Sequence, residues 1–321
     1  MTIRRTLRRL AAPALTLGLL AGLGFALVPF LGGISAKADL LAQFLLQGAA
    51  LTFVVLVGCL LCRRPWRAGL AAVCLVLQLA SMRQAPWPDI AARPADAARP
   101  ADATVLFANL LVDNREKAAT VARIRALDPD VVVLAELDGG WWRALAPLAA
   151  SYPHRADCRK KPGCDVAVLS RLPVSDRLTL GGGGGGGGYL ALARVETVAG
   201  PIDVGGTHLR RPIPLGGLWR QMRQVEAVAS AMAARPPARV LFGDFNAVPW
   251  GRVVGEAARL GGLKPSFGLE GTWPASLPWP LRLPIDHVLA GPAVEVVKRE
   301  VVAMPGSDHK ALLVRLARRP G

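Results

Sequence analysis

Acidic residues are nearly absent from the first 100 positions of this 321-residue chain. Only Asp39, Asp89 and Asp96 carry a negative charge there, and the first glutamate is Glu116. The same positions hold long uncharged apolar runs, whereas charged residues of both signs are spread over the remainder. This distribution excludes one uniform globular fold, and it divides the chain into an apolar front part and a globular back part.

Cysteine is also scarce, with five residues in the chain. Cys59, Cys62 and Cys74 fall in apolar runs, where the C-x-x-C spacing of the first two does not favour a zinc or redox site, and we interpret all three as small packing residues. Cys158 and Cys164 flank the basic loop "CRKKPGC". They would form a disulfide in an oxidising compartment and remain thiols in a cytosol.

Eight consecutive glycines, residues 181–188, lack the sequence features of a phosphate-binding loop. They have neither a G-x-G-x-x-G context nor a downstream lysine. Because each glycine has a large backbone entropy to lose, the run does not favour regular structure. We interpret it as a flexible hairpin connection, with an expanded repeat as the alternative.

Three apolar runs in residues 1–83 predict a transmembrane region. Residues 10–34 and 40–62 are each long enough to cross a bilayer core of ~30 Å as a helix. Residues 68–82 form a shorter run, which spans only if the bilayer thins or Arg83 reaches the interface. A cleaved signal peptide does not suit the first run, because it is too long and two more runs follow.

Arginines cluster before the first run, at positions 4, 5, 8 and 9, and between the second and third, at 63, 64 and 67. The positive-inside rule places both clusters in the cytoplasm. Three spans then deliver the back part to the opposite side, which in a bacterial inner membrane is the periplasm. If residues 68–82 do not span, the back part stays cytoplasmic.

Residues 84–103 repeat the motif "ARPADA" and are rich in proline and alanine, which predicts a linker. The net charge of +16 is explained in the front part by membrane orientation. The back part has a mild basic excess. That excess suits phosphate-bearing ligands but is not by itself a nucleic-acid signature.

From residue 104 to 317 short apolar runs alternate with amphipathic segments, which predicts two packed sheets flanked by helices. The helices are expected at "REKAATVARIRAL" and "LWRQMRQVEAVASAMAA". The strands are expected at "ATVLFAN", "DVVVLAE" and residues 165–170, 189–195, 202–208, 239–242, 285–290 and 311–316.

Polar residues recur where these predicted strands meet loops. The set comprises Asn109, Glu136, His208, Asp244, Asn246, Asp286, Asp308 and His309. Each alone has an ordinary interpretation as a turn or helix-capping residue. Their joint occurrence at strand ends instead indicates one site.

The segments "THL", "GDFN", "IDH" and "SDH", preceded by Asn109 and Glu136 on the first two strands, resemble the endonuclease/exonuclease/phosphatase family of metal-dependent phosphoesterases. "DVAVLSRLPV" resembles the family's segment before its central strand. The resemblance implies an α+β fold, the DNase I-like four-layer α-β-β-α sandwich, for residues 104–317. The membrane region lies outside it.

The resemblance also implies a divalent cation, Mg²⁺ or Mn²⁺, held by Asn109, Glu136 and Asp308. Magnesium prefers oxygen ligands and neutralises the charge that develops in phosphoester hydrolysis. His309, paired with Asp286, would be the general base or the group that positions it. Asp244 would orient or deprotonate water, Asn246 would hold a phosphate oxygen or the metal, and His208 would donate to the phosphate.

The sequence leaves the substrate open between a nucleic acid and a phospholipid headgroup, and it predicts no protein partner. No tyrosine–arginine pair matches the one that some nucleases of the family carry, since the only tyrosines are Tyr152 and Tyr189. The connecting segments are short for loops that grip duplex DNA. A membrane-tethered binding module without catalytic activity is the alternative from another functional class.

Overall fold

A computed structural model describes residues 2–82, 101–161, 163–181, 189–213, 217–266, 268 and 270–319, with side chains from residue 11 onward. The chain divides into two compact units, Met1–Ala85 and Pro86–Gly321. Most of the predicted linker, 84–103, lies outside the described residues. The predicted boundaries of the membrane region, linker and C-terminal domain therefore stay predictions.

The N-terminal unit consists of four helices in its described part: α1 (Thr2–Leu31), α2 (Ala36–Ala42), α3 (Leu45–Leu61) and α4 (Pro65–Met82). Two segments, Ala11–Leu31 and Pro65–Met82, are long and apolar enough to cross a membrane. The second predicted run is not one straight helix, because α2 and α3 meet at a bend of 65°, and the pair counts as a third candidate if it forms a broken span.

The third predicted run is longer than its apolar residues indicate. α4 begins at Pro65, three residues before the run, and therefore has 18 residues. Proline is favoured in the first turn of a helix, where its missing N–H leaves no hydrogen bond unmade. Trp66 and Arg67 thus belong to the helix rather than to a preceding loop.

The N-terminal unit buries several polar side chains beside apolar ones and exposes many of its large apolar side chains. Gln78 is fully buried and donates from Nε2 to the carbonyl of Gly22 at 2.8 Å and to Thr52 Oγ1 at 3.0 Å. Leu17, Phe53 and many other large apolar residues of α1, α3 and α4 are exposed. This is the reverse of the arrangement that water favours.

The C-terminal unit contains twelve described strands and four described helices. In chain order they are β1 (Ala103–Asn109), α5 (Lys117–Leu127), β2 (Val131–Ala135), α6 (Gly139–Ala144), β3 (His154–Asp157), β4 (Ala167–Ser170), β5 (Val174–Leu180), β6 (Leu190–Thr197), β7 (Gly200–His208), α7 (Gly217–Ala233), β8 (Arg239–Asp244), α8 (Arg252–Gly261), β9 (Lys264–Ser266), β10 (Asp286–Ala290), β11 (Val294–Val302) and β12 (Ala311–Arg318).

These strands form two sheets with the orders β11-β12-β1-β2-β4-β3 and β5-β6-β7-β8-β10-β9. Alternate residues of β1 show how the layers pack: Val105 and Phe107 face the second sheet, whereas Leu106 packs with Ile124 of α5. α7 covers the other face of the second sheet, where the sulfur of Met232 lies against Gly205 of β7. The predicted four-layer α-β-β-α sandwich is therefore confirmed.

The strands that the sequence did not indicate are β3, β5, β9 and β11, and these are the four sheet edges. Edge strands are paired on one side only, and their burial is partial or alternating, as in β5. Their sequences, such as "VSDRLTL", mix charges with apolar residues and lack the continuous apolar run of a strand covered on both faces.

Cys158 and Cys164 are joined by a disulfide with a Cα–Cα distance of 5.6 Å. It closes the basic loop after β3. Of the glycine run, residues 182–188 lie outside the described residues, but β5 and β6 on either side pair antiparallel, with Leu180 opposite Leu190. The flanking strands thus form a hairpin, as expected.

Gly243 marks the closest approach of β8 to β7. A Cβ at this position would lie 2.5 Å from the carbonyl oxygen of Thr207, a distance that real structures do not tolerate. The glycine before Asp244 in "GDFN" is therefore required by strand packing rather than by chemistry.

We expect Gly243→Ala to destabilise the C-terminal unit by ~1–3 kcal/mol, the usual cost of overpacking a close-packed interior. Thermal unfolding followed by near-UV circular dichroism measures it. Gly255→Ala in α8 is the matched control, because no atom lies within 4 Å of its added Cβ. It should stabilise the helix by ~0.5–1 kcal/mol. Equal melting temperatures for the two variants would contradict this account of Gly243.

Candidate active site

Strand register brings three predicted site residues together in the second sheet. His208 at the end of β7 is paired with Asp244 at the end of β8, and Asp286 at the start of β10 is paired with the same Asp244. In the first sheet Asn109 ends β1, and Glu136 directly follows the parallel strand β2. Parallel neighbours deliver their final residues to the same edge of a sheet.

The carboxylate of Asp244 lies at the centre of the cluster and is buried. Its Oδ2 accepts a hydrogen bond from Asn109 Nδ2 at 3.0 Å and lies 3.8 Å from His208 Nε2 and 3.7 Å from His309 Nε2. Its Oδ1 accepts the backbone N–H of Asn246 at 2.8 Å. One oxygen therefore faces both imidazoles while the other is occupied by the turn that follows β8.

Asn109 connects the two sheets. Its Nδ2 donates both to Glu136 Oε1, at 2.9 Å, and to Asp244. Its Oδ1 accepts the N–H of Leu111 at 3.1 Å, so this amide orients two carboxylates. Glu136 has a left-handed backbone with φ of 62°, and its Oε2 accepts the N–H of Val112 at 3.1 Å. The unusual backbone turns its side chain toward Asn109 at a cost of order 1 kcal/mol.

His309 and Asp286 form a buried pair, with Nδ1 to Oδ2 at 2.9 Å. Ser307 fixes the preceding turn, because its hydroxyl accepts the N–H of His309 at 3.0 Å and donates to the carbonyl of Asn109 at 2.7 Å. Asp286 Oδ1 is buried without a hydrogen-bond partner. The predicted pairing of His309 with Asp286 is thus present in the geometry.

Asp308 is directed toward Trp273, whose Nε1 donates to Asp308 Oδ2 at 3.0 Å. Its Oδ1 is buried without a partner. Among the described histidine, cysteine and acidic side chains, two groups bring ligand atoms within 4.8 Å of one another: Glu136, His208 and Asp244, and Asp244, Asp286 and His309. Asp308 belongs to neither group.

His208 has a partner that sequence reasoning did not single out. Its Nδ1 lies 2.8 Å from Oδ2 of Asp165, which lies two residues before the start of β4. The backbone carbonyl of Asp165 also accepts the N–H of Leu137, next to Glu136. The sequence feature that could have identified Asp165 is the one that identified the other site residues, namely a polar residue at the end of a predicted strand. Asp165 begins the strand-like run "DVAVLS" immediately after Cys164.

The neighbouring carboxylates together outweigh burial in setting the pKa of both site histidines. Burial by itself lowers the pKa of His309, but Asp286 and Asp244 outweigh it and raise the pKa to about 10. For His208 the hydrogen bond and charge of Asp165 outweigh burial and raise the pKa to about 9. Burial raises the pKa of Asp244 to about 6, against the lowering effect of the imidazoles. The carboxylates therefore favour the charged form of both imidazoles, and the imidazoles in turn counteract the effect of burial on the pKa of Asp244.

Asn246 and His287 lie beside the cluster and contact backbone groups. Asn246 has a left-handed backbone, φ 47°, and its Nδ2 donates to the carbonyl of Leu209 at 2.9 Å. His287 is buried edge-on against Phe245 and its Nε2 donates to the carbonyl of Ala247 at 2.6 Å. Burial lowers the pKa of His287 to about 4, so it is neutral and fixes the turn that holds Asn246.

The model of the endonuclease/exonuclease/phosphatase family matches residues 106–309. This span is more than half of the chain, so the chain belongs to that family, whose members hydrolyse phosphoester bonds. The resemblance drawn from "GDFN" and "SDH" is thereby confirmed. A comparison with curated proteins finds no match.

Solved structures with the same fold include a protein of the family from Beutenbergia cavernae, 25% identical, with a TM-score of 0.55 over 68% of this chain and 72% of that one. Sphingomyelinase C from Streptomyces griseocarneus is 19% identical, with a TM-score of 0.50 over 68% of this chain and 99% of its own. The TDP2 of D. rerio complexed with a single-strand DNA product is 17% identical, with a TM-score of 0.52 over 67% and 98%.

We expect Asp165→Asn to lower the pKa of His208 by about 1 to 3 pH units, because an adjacent carboxylate stabilises the imidazolium by that amount. The measurement is an NMR titration of the histidine ring protons in chelator-treated protein, with His154 as internal reference. Asp128→Asn is the control, because that carboxylate is exposed and pairs with Arg171 at the other end of β2. An unchanged His208 titration would show that Asp165 does not hold its charge.

Proposed function

We propose that this protein is a membrane-anchored, divalent-metal-dependent phosphoesterase. One observation carries the proposal: the buried carboxylate of Asp244 lies between two imidazoles that are each hydrogen-bonded to a second carboxylate. Such an arrangement offers a proton acceptor and two donors within one small volume. Phosphoester hydrolysis needs an acceptor for the proton of water and donors for the phosphoryl oxygens.

The oxygen donors present fit a hard divalent cation. Glu136 supplies a half-buried carboxylate, and Asp308 Oδ1 is buried without a hydrogen-bond partner. Together with Asn109 these are the residues that would hold Mg²⁺ or Mn²⁺. When bound, the cation supplies charge neutralisation for the phosphoryl group and a lowered pKa for its water. In this structure Asn109 bridges Glu136 and Asp244, and Asp308 faces Trp273.

The proposed roles of the remaining residues follow from their charges. Asp244 accepts the proton of the attacking water, since a carboxylate with a pKa of about 6 is ionised at neutral pH and still basic enough to do so. His309 and His208 donate from Nε2 toward the phosphoryl oxygens or the leaving group. Asp286 and Asp165 keep the two rings protonated and oriented. Asn246 extends the set of polar contacts for a phosphoryl oxygen.

A non-catalytic binding module would not need this charge arrangement. Binding a phosphate requires cations, whereas Asp244 places a buried negative charge where a phosphate would approach. That charge costs stability and weakens anion binding unless it acts as a base. The cluster therefore favours catalysis over retention of the fold for binding alone.

Membrane anchoring is supported by the inverted polarity of the N-terminal unit. Gln78 and Thr52 hydrogen-bond inside, while leucine, valine and phenylalanine side chains cover the outside. Hydrogen bonds between buried polar residues and an apolar exterior are typical of helices in lipid. The disulfide between Cys158 and Cys164 favours an oxidising compartment for the C-terminal unit, which in a bacterium is the periplasm.

We expect Glu136→Gln to abolish Mg²⁺-dependent hydrolysis of bis-p-nitrophenyl phosphate, because it removes one charge from the metal site at constant volume, and excess Mn²⁺ should restore part of the activity. Calorimetric titration should show weaker metal binding with the melting temperature unchanged. Glu226→Gln, exposed on α7, is the control. Wild-type turnover of Glu136→Gln at low metal concentration would remove Glu136 from the site, and a wild type without metal-dependent turnover would favour the binding module.

The membrane topology can be tested independently of activity. An alkaline phosphatase fusion after Ala103 should be active, because that reporter folds only outside the cytoplasm and three spans carry Ala103 across. A fusion after Arg64, between the second and third runs, should be inactive. An inactive fusion at Ala103, with free thiols at Cys158 and Cys164 in non-reducing mass spectrometry, would place the C-terminal unit in the cytoplasm.

A further inference from the structure

A short loop beside the candidate site exposes only apolar and small residues. Residues 276–281, "SLPWPL", are all exposed, with Leu277 at 38%, Trp279 at 57% and Leu281 at 52% of their full accessible surface. Large side chains of this kind are normally covered in soluble domains, and clustered exposure marks a surface that contacts something else. We call this segment the 276–281 loop.

The 276–281 loop is tied to the active-site residues at its base. Trp273 donates to the Asp308 carboxylate at 3.0 Å, and its ring centroid lies 6.5 Å from that of His309. The N–H of Ala275 donates to the carbonyl of Asp308 at 2.7 Å. Leu277 follows Trp273 by four positions, so its Cα lies within ~14 Å of that of Trp273. A substrate in the site is therefore within reach of the loop.

The exposure results from a defined backbone structure. The loop contains a 3₁₀ turn, Trp279–Leu281, and the N–H groups of Leu277 and Leu281 donate to the carbonyls of Pro274 and Pro278. Arg282 closes the loop, because its Nε donates to the carbonyl of Leu277 at 2.6 Å. The apolar side chains are thus held outward by hydrogen bonds at the base of the loop, and little entropy remains to be lost on binding.

Charge decides between the two substrate classes that the fold permits. From Thr272 to Ile285 the only charged residue is Arg282, and it is directed back toward the loop carbonyl and Glu270. A single-stranded nucleic acid requires cations along its path as well as aromatic surfaces. The 276–281 loop offers tryptophan and leucine without cations, which is the composition that enters the apolar boundary of a bilayer.

A second exposed segment, which follows the site residue His208, has a composition that complements this surface. The segment after His208 exposes Arg210, Arg211 and Ile213, and the first turn of α7 exposes Trp219. Arginine and tryptophan are the residues that settle at the headgroup level of a membrane. An apolar loop next to Trp273 and a cationic segment next to His208 together suit a substrate with an apolar tail and an anionic headgroup.

We propose that the 276–281 loop inserts into the bilayer interface and that the substrate is a phosphoester lipid of that bilayer. The proposal rests on the phosphoesterase function proposed above and specifies its substrate class. The loop brings the site to the headgroups, so that the lipid need not leave the membrane to be hydrolysed. A soluble phosphoester should not depend on the loop.

The first test measures insertion without activity. The full-length protein is placed in phosphatidylcholine nanodiscs, with or without phosphatidylcholine brominated near the top of its acyl chains. Trp279 is one of eight tryptophans, and Trp66 in α4 should be quenched in both proteins, so the bromolipid should quench a smaller amount of emission in Trp279→Ser than in wild type. Equal quenching of wild type and Trp279→Ser would overturn insertion, including the case in which the loop packs against protein instead.

The second test measures substrate preference. Leu277→Ser with Leu281→Ser should lower hydrolysis of sphingomyelin, phosphatidylcholine or phosphatidic acid in nanodiscs at least ~10-fold, because the substitutions remove the apolar surface that the loop would bury in the bilayer. Hydrolysis of bis-p-nitrophenyl phosphate should stay within a factor of about two. Val198→Ser is the control, since Val198 is 98% exposed and precedes β7 at the end opposite His208.

The outcomes separate the two proposals. An unchanged lipid rate in the loop variant, or an equal loss on the soluble ester or on a single-stranded oligonucleotide, would overturn the lipid assignment while leaving a phosphoesterase. A wild type that hydrolyses none of these substrates would overturn the proposed function, and the bromolipid measurement would still decide whether the loop enters the bilayer.

Discussion

The buried carboxylate of Asp244 is the constraint on which the rest of the site depends. A desolvated negative charge is costly unless neighbouring groups compensate it. Here the compensation comes from His208, His309 and the amide of Asn109, each delivered by a different strand or loop. Asn109 belongs to the first sheet and Asp244 to the second, so the charge also fixes how the two sheets meet at this edge. Packing and chemistry are therefore set by the same group.

The second carboxylate behind each imidazole determines what the site can do. Without Asp286 and Asp165, burial would leave both rings neutral, as it leaves His287 neutral with only a backbone carbonyl as partner. With them, the charged form of both rings is favoured. The proposed function therefore gives the basic role to Asp244, which is one of the two roles that the sequence left open for it, and makes His309 a donor, which differs from both roles expected for it from sequence.

The central strands and the site residues on them were predictable from sequence for one physical reason. A strand covered on both faces reads as a continuous apolar run, so the polar residue that ends it, such as Asn109 or Asp244, stands out. The edge strands, such as β5, mix charged and apolar residues, so neither the strand nor a polar residue at its end stands out in the sequence. Asp165 was missed because it precedes its strand next to a disulfide loop and its partner, His208, is 43 positions away. Side-chain pairing over such separations is set by the packing of two sheets, which a single sequence does not display.

The bend between α2 and α3 likewise follows from tertiary packing, since hydropathy reports only that the run is apolar.

The two exposed apolar surfaces of this protein have opposite origins. On the helices of the N-terminal unit, many leucine and valine side chains are exposed while Gln78 and Thr52 are buried together with a small apolar cluster. On the C-terminal unit the apolar side chains of both sheets are buried in clusters, and the 276–281 loop is an exposed apolar segment beside one of them. Helices with many exposed apolar side chains suit lipid around them, whereas an apolar loop on a charged domain suits contact with lipid at one point. If an anchor holds the domain near a bilayer, the local lipid concentration is high, and a weakly inserting loop is then sufficient to bring Asp244 and its imidazoles to a headgroup phosphate.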